Sequence, residues 1–234
     1  MNTAAIPRSL WRIAGVLALV HVAFFIVTAA ITGAPTVHDG QEGIEHSFVE
    51  GGMARIMTGG YVNVLGFLSL IPVMVFLARA VGRRSEGGRW AAQTAAAAGL
   101  GSVVVIIGSG FAPGAAALWG THNGLDLETA LVINNIRNFA YFLTLPLLGT
   151  FAIGVGISAL SDRVLTHWVG WGGVAVGAAL MLAIPAAGIG LQYGMPLWLL
   201  WWLGVGIALL RHDPAATSTP ATTRTGPVAV GSES

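Results

Sequence analysis

The sequence predicts an all-α fold, a polytopic membrane helix bundle with six transmembrane helices, and three observations carry that reading. Hydrophobic residues fill 55% of the 234 positions and charged residues only 9%, with a mean hydropathy of +0.76. A soluble domain carries roughly 25% charged residues. Apolar runs recur at about the 20-residue length that crosses a hydrocarbon core. Among the connections between those runs, finally, arginines occur only in alternate ones.

The apolar runs place spans at 10–32, 53–79, 91–112, 129–158, 165–187 and 190–210. The first follows a short polar lead containing Arg8 and Arg12, and it is long enough to span rather than to be a cleaved signal. The fourth exceeds the length a span needs, so its polar first turns stand partly in the outer interface. The sixth begins at an interruption, Gly194 and Pro196. Residues 1–212 thus form the transmembrane domain, and 213–234, rich in Pro, Thr, Ala, Ser and Gly, read as a disordered cytoplasmic tail.

Orientation follows from the arginines. Arg8 and Arg12, then Arg79, Arg83, Arg84 and Arg89, then Arg163, then Arg211 mark the N-terminus, the second and fourth connections and the C-terminus. The connections between them, 33–52, 113–128 and 188–189, hold none. The positive-inside rule therefore predicts a multi-pass protein of the cell membrane with both termini cytoplasmic. No internal repeat relates the first three spans to the last three, which weakens a transporter reading. Gly173 and Gly177 form a GxxxG in the fifth span, and Gly59 and Gly66 share a face of the second; both read as packing surfaces.

Composition also limits the chemistry. There is no cysteine, so disulfides, thiolate metal ligands and thiol nucleophiles are excluded. All eleven basic residues are arginine, which removes lysine nucleophiles and Schiff bases. With a net charge of +1 and no basic patch, no nucleic-acid partner is expected. His38, Asp39, Glu42, Glu45, His46, Glu50 and His122 are of metal-ligand type, but no HExxH or comparable spacing occurs, and neither metal nor cofactor is predicted.

The groups able to do chemistry gather on the side away from the arginine connections. Asn134, Arg137, Asn138 and Tyr141 lie at i, i+3, i+4 and i+7, a single stripe on a helix. A lipid-facing arginine costs about 3 kcal/mol on insertion scales, so the stripe is expected to face the bundle interior. Arg55, Tyr61 and Asn63 carry polarity into the same leaflet from the second span. A buried Arg137 needs a partner, and Glu50 at the entrance of the second span is the first candidate, with Glu45 the second. Asp126, Glu128 and Thr129 read as a helix N-terminus. His21 reads as a hydrogen-bonded packing histidine, since no second intramembrane histidine exists at its depth to complete a haem site. Trp168 and Trp171 suit an interfacial belt. Trp198, Trp201 and Trp202 share a face expected to meet lipid, or else to wall an apolar pocket.

The run Ser161-Asp-Arg-Val-Leu-Thr-His-Trp-Val-Gly-Trp-Gly-Gly-Val-Ala-Val-Gly177, with the Arg83-Arg84 pair, resembles small multi-pass bacterial membrane proteins grouped as a domain of unknown function. That family supplies no catalytic residues to transfer. In size, helical membrane architecture, intramembrane acids and tryptophans the layout also resembles the small membrane-integrated terpene cyclases, whose motifs it does not share. The resulting expectation is a membrane enzyme, of cyclase or isomerase type, acting on a lipophilic, isoprenoid-like substrate by proton transfer. Glu50, Arg137 and His46 would be its catalytic groups, and Arg55, Tyr61, Asn63, Asn134, Asn138, Tyr141 and Trp198 would bind substrate. The alternative is a small permease or an accessory subunit, whose polar stripe meets a membrane-protein partner.

Overall fold

The computed structural model describes residues 6–33, 40–183 and 194–212. Among these there is no strand. The elements are α1 (Arg8–Ile31), α2 (Gly40–Ile44) with a π-helical turn Glu45–Glu50, α3 (Met53–Ala80), α4 (Glu86–Val105) with a π-helical turn Ile106–Phe111, α5 (Ala112–His122), α6 (Leu127–Asp162), α7 (His167–Leu182) and α8 (Gly194–Arg211). Four helices are long and apolar enough to cross a membrane: α1, α3, the continuous α4–α5 unit Glu86–His122, and α6. Helices α7 and α8 are apolar but shorter. The expected tail at 213–234 and the end of the fifth predicted span lie outside the described residues.

Two segments differ from the sequence expectation. Residues 113–122, read as connection, continue the third helix as α5, so the turn between α5 and α6 shrinks to Asn123–Asp126. Proline inside a helix removes a donor and clashes with the carbonyl four residues back. Pro113 is accommodated because the wider π-helical winding of Ile106–Phe111 immediately precedes it, with the Ala112 amide bonding back to Ile107 O. Residues 40–50, also read as connection, are helical and bury Ile44 and Phe48.

Among the described residues the longer helices, counting α4–α5 as one, pack in a cyclic order: α1 on α3, α3 on α4, α4 on α6, α6 on α7, α7 on α8, and α8 on α1. The residue pairings make each neighbouring pair antiparallel. Along α1, for example, Gly15 meets Gly206 and Leu210 while His21 meets Trp198. Glycine permits the closest approaches. A Cβ on Gly173 or Gly177 would come 2.7 Å from Ala152 O or 2.6 Å from Gly149 O, so the GxxxG packs α7 on α6 as expected. Gly59 and Gly66 likewise seat α3 against Thr32 and Phe24 of α1.

This connectivity brings the arginine-bearing segments to one end. Trp11 stacks on His212 with centroids 3.8 Å apart and meets Phe76 edge-on at 5.0 Å, which joins the start of α1 to the ends of α8 and α3. The α3–α4 turn is tied in turn to the end of α6. Asp162 is buried there and accepts from the Arg84 amide (2.8 Å) and the Ser85 hydroxyl (3.0 Å), while Arg84 Nη1 donates to its carbonyl (3.1 Å). Ser85 Oγ caps α4 through the Gly88 amide, and Ser158 Oγ donates to Gly88 O at 2.8 Å.

The tryptophans of α8 do not face lipid. Trp198, Trp201 and Trp202 are buried inside the ring, where Trp202 stacks on Phe151 of α6 at 5.7 Å. Both alternatives, lipid and core, are apolar, so hydropathy cannot separate them; helix rotation decides, and it turns this face inward. His21 is fully buried beside them. Its Nδ1–H donates to Gly66 O (3.0 Å) and its Nε2 accepts from Trp198 Nε1 (3.3 Å), a pairing that the neutral ring satisfies completely. His21 is thus the packing residue that the sequence suggests, pinning α1, α3 and α8 together.

Candidate functional site

The ring is filled by these aromatics through its middle and is hollow toward the end opposite the arginines. A cavity of about 440 Å³ occupies that half. It lies between two hydrophobic clusters: the main core, represented in its wall by Phe67, Ile106 and Met195, and a smaller cluster formed by α2, α3, α5 and the start of α6, represented by Phe48, Ile56 and Leu118. The smaller cluster caps the bundle and exists only because residues 40–50 and 112–122 are helical.

Each polar wall residue owes its position to helix phase. On α6, Arg137, Asn138 and Tyr141 line the cavity, while Val132, Ile136, Phe139 and Leu143 occupy the opposite, exposed face. That division is the 3.6-residue period made visible. Asn63 of α3 faces the same space, with Thr28 and Thr32 of α1. Arg137 Nη2 donates to Asn138 Oδ1 at 2.9 Å, and the aliphatic stem of Arg137 crosses Gly114 of α5, where a Cβ would come 2.7 Å from its Cδ. Gly60 similarly receives the Phe111 ring. Gly110 lines the cavity with open space around it: a Cβ there would meet no atom within 4 Å.

The sequence-predicted residues divide into two groups. Arg137, Asn138, Tyr141 and Asn63 come together in one wall. Asn134 is fully buried one turn earlier on the same stripe, outside that wall. The expected Glu50–Arg137 contact is replaced by a local one: Glu50 is exposed and accepts from His46 Nδ1 at 2.8 Å, across the helical turn that ends residues 40–50. The π-helical winding carries Phe48 inward and leaves His46 and Glu50 in solvent. Arg55 and Tyr61 are also exposed; the Arg55 guanidinium lies beside Gly33 and Gly51 at the junction of α1 and α3. Trp198 sits in the core rather than in the wall, because its indole N–H is committed to His21.

Sequence reading missed the contributions of Phe48, Gly110, Phe111, Gly114 and Leu118. Once 106–122 is read through as helix, Ile106, Gly110, Gly114 and Leu118 repeat every four residues, which is the signal that Pro113 obscures. At the cap, Asp126 accepts from the Thr129 amide and hydroxyl, both at 2.8 Å, and these bonds hold its carboxyl below the usual value of 3.8. Among the described residues, no three of His, Asp or Glu cluster in a way that could hold a metal ion.

Chemically, the wall offers hydrogen-bond donors set in an apolar enclosure. Guanidinium donates only, and Asn138 is engaged at both ends of its amide: Oδ1 accepts from Arg137 and Nδ2 donates to Asn135 Oδ1 at 3.4 Å. Among the described residues, no carboxylate lines the cavity. No family model, no curated protein and no solved structure matches this chain.

Proposed function

We propose that this chain is a six-span protein of the cell membrane that binds a lipophilic small molecule in the cavity, with the polar end of that molecule at Arg137, Asn138, Tyr141 and Asn63. The observation that carries this reading is the pairing, in one 440 Å³ space, of a mostly apolar wall with a donor cluster held on α6 and α3. Ligand sites are typically apolar clefts of about 300–1,000 Å³ with a few convergent polar groups. In this reading both termini are cytoplasmic. Its support is that the arginine-bearing ends of α1, α3, α6 and α8 share one end of the bundle, opposite the cavity.

Binding, rather than proton transfer by Glu50, is what the geometry supports. An acid or base must reach its substrate within about 3 Å, directly or through one water. Glu50 points to solvent and is held there by His46. A cyclase or isomerase would need its proton donor in the wall, where Tyr141 is the hydroxyl of that kind among the described residues.

Native mass spectrometry of the detergent-solubilised protein tests the proposal. A lipophilic adduct is expected on the wild type and is expected to disappear when Val64→Trp fills the cavity. An adduct that persists undiminished in a folded Val64→Trp protein places the ligand elsewhere and overturns the reading.

A further inference from the structure

Resting on that reading, we infer that the ligand is an uncharged single-chain lipid whose head both donates and accepts hydrogen bonds, a hydroxyl or an unsubstituted amide, held by Asn63 and Tyr141. The bonding of the wall narrows the head group. On α6, Arg137 is engaged by Asn138 and by a further partner, and Asn138 gives its amide nitrogen to Asn135. On α1, the Thr28 hydroxyl donates to Gly59 O (3.3 Å) and the Thr32 hydroxyl to Thr28 O (2.7 Å), so what each still offers the cavity is an accepting oxygen. Among the described residues, the Asn63 amide and the Tyr141 hydroxyl are then the polar side chains of the wall that the chain itself leaves unbonded. Both are neutral, and both give and accept hydrogen bonds. Asn63 stands one helical turn from Gly59, to which Thr28 is bonded, so its amide and the threonine oxygens belong to the same α1–α3 side of the cavity.

Other heads fit this wall less well. An ether or ketone only accepts, which leaves the Asn63 carbonyl unmet in an apolar enclosure. A carboxylate has the same defect and also sets its charge against the oxygens of Asn63, Thr28 and Thr32. An ammonium meets no carboxylate among the described residues and shares the space with a guanidinium. A hydroxyl or an amide serves donors and acceptors at once and brings no charge to be compensated. Size narrows the tail. The cavity of about 440 Å³ holds roughly fifteen groups if each takes the ~30 Å³ of a water molecule. That is one saturated chain of medium length, and much less than a two-chain phospholipid. Gly110 lines the cavity with no atom within 4 Å of where a Cβ would stand, so it leaves volume for that chain.

The test uses the full chain in nanodiscs with defined probes: tetradecanol, tetradecanamide, tetradecyl methyl ether, tetradecanoate and tetradecyltrimethylammonium. The alcohol and the amide are expected to bind at least tenfold more tightly than the ether and the acid, with the ammonium weakest. Asn63→Leu is expected to bring the alcohol down to the level of the ether while leaving the ether unchanged, and Asn63→Gln to keep part of the preference. Tyr141→Phe is expected to weaken the alcohol several-fold and the ether not at all. Gly110→Leu, which alters no polar side chain, is expected to weaken every probe that binds. Equal affinity for alcohol and ether in the wild type overturns the assignment of a donating and accepting head while leaving cavity binding intact. Preference for tetradecanoate overturns it in favour of an anionic head. Undiminished binding of every probe to a folded Gly110→Leu protein overturns the cavity reading itself. Should Asn63→Leu fail to fold, the probe ranking and Tyr141→Phe decide alone.

Discussion

The two ends of the bundle treat polar groups in opposite ways. At the arginine end, Asp162 is buried and its oxygens are consumed by Arg84 and Ser85, so the network is closed upon itself. At the other end, Arg137, Asn138, Tyr141 and Asn63 line a cavity. Both arrangements cost desolvation. The first is offset by bonds that fasten the α3–α4 turn to α6. The second keeps donors facing a space that a molecule other than the protein can fill. Polarity inside a membrane protein is therefore architectural when it is saturated by the chain, and a site when it lines a cavity.

Breaking the closed end should have the largest effect. Asp162→Ala removes two hydrogen bonds to a buried carboxyl and is expected to cost about 3 kcal/mol, since bonds to charged groups contribute about 1.5–3 each. Thermal denaturation in detergent measures this, and ligand affinity below the melting temperature should be unchanged. At the open end Asn63→Leu should do the reverse: loss of the lipophilic adduct, with a much smaller change in melting temperature. Between the two ends, Trp198→Phe deletes the donor to His21 and should cost about 1 kcal/mol, a typical size for an interhelical hydrogen bond.

Smaller effects sharpen the comparison. The Asp126 carboxyl is held below its usual 3.8, so its contribution to stability is present above that pH and is lost as pH falls through the lowered folded value. Acid titration of melting temperature should accordingly show the wild type losing more of its margin than Asp126→Asn, and the two converging at the acid extreme. Glu50→Gln should change least. An exposed i,i+4 pair contributes about 0.3–0.5 kcal/mol, and ligand affinity should not move.

The contrast also marks what the sequence disclosed. The apolar runs and the arginine-bearing connections were legible because both are local properties of the chain. So was the inward turn of Arg137, Asn138 and Tyr141, because four polar residues at helical spacing have only one common face. The cap was not legible: Pro113 and Gly114 ordinarily break helices, and the π-helical turn that absorbs the proline has no sequence signature. Glu50 went astray for a related reason, since a π-helical turn rotates side chains differently from the extended connection expected there. Asp162 was overlooked as a latch because its partners lie 78 residues away in the chain. Trp198 was read as facing lipid or walling a substrate pocket, and not as core, because hydropathy scores lipid and protein core alike.

Neighbouring positions on α3 give the most direct test of the hollow half. The chain contains no cysteine, so a single thiol can be introduced without background. Asn63 lines the cavity, whereas Tyr61, two residues away, is 58% exposed on the outer surface. In a Gly110→Leu background the thiol of Asn63→Cys should react with a small thiol reagent several-fold more slowly, and that of Tyr61→Cys at an unchanged rate. If filling the cavity leaves both rates alone, or slows both equally, Asn63 does not share an enclosed space with Arg137 and the site does not exist.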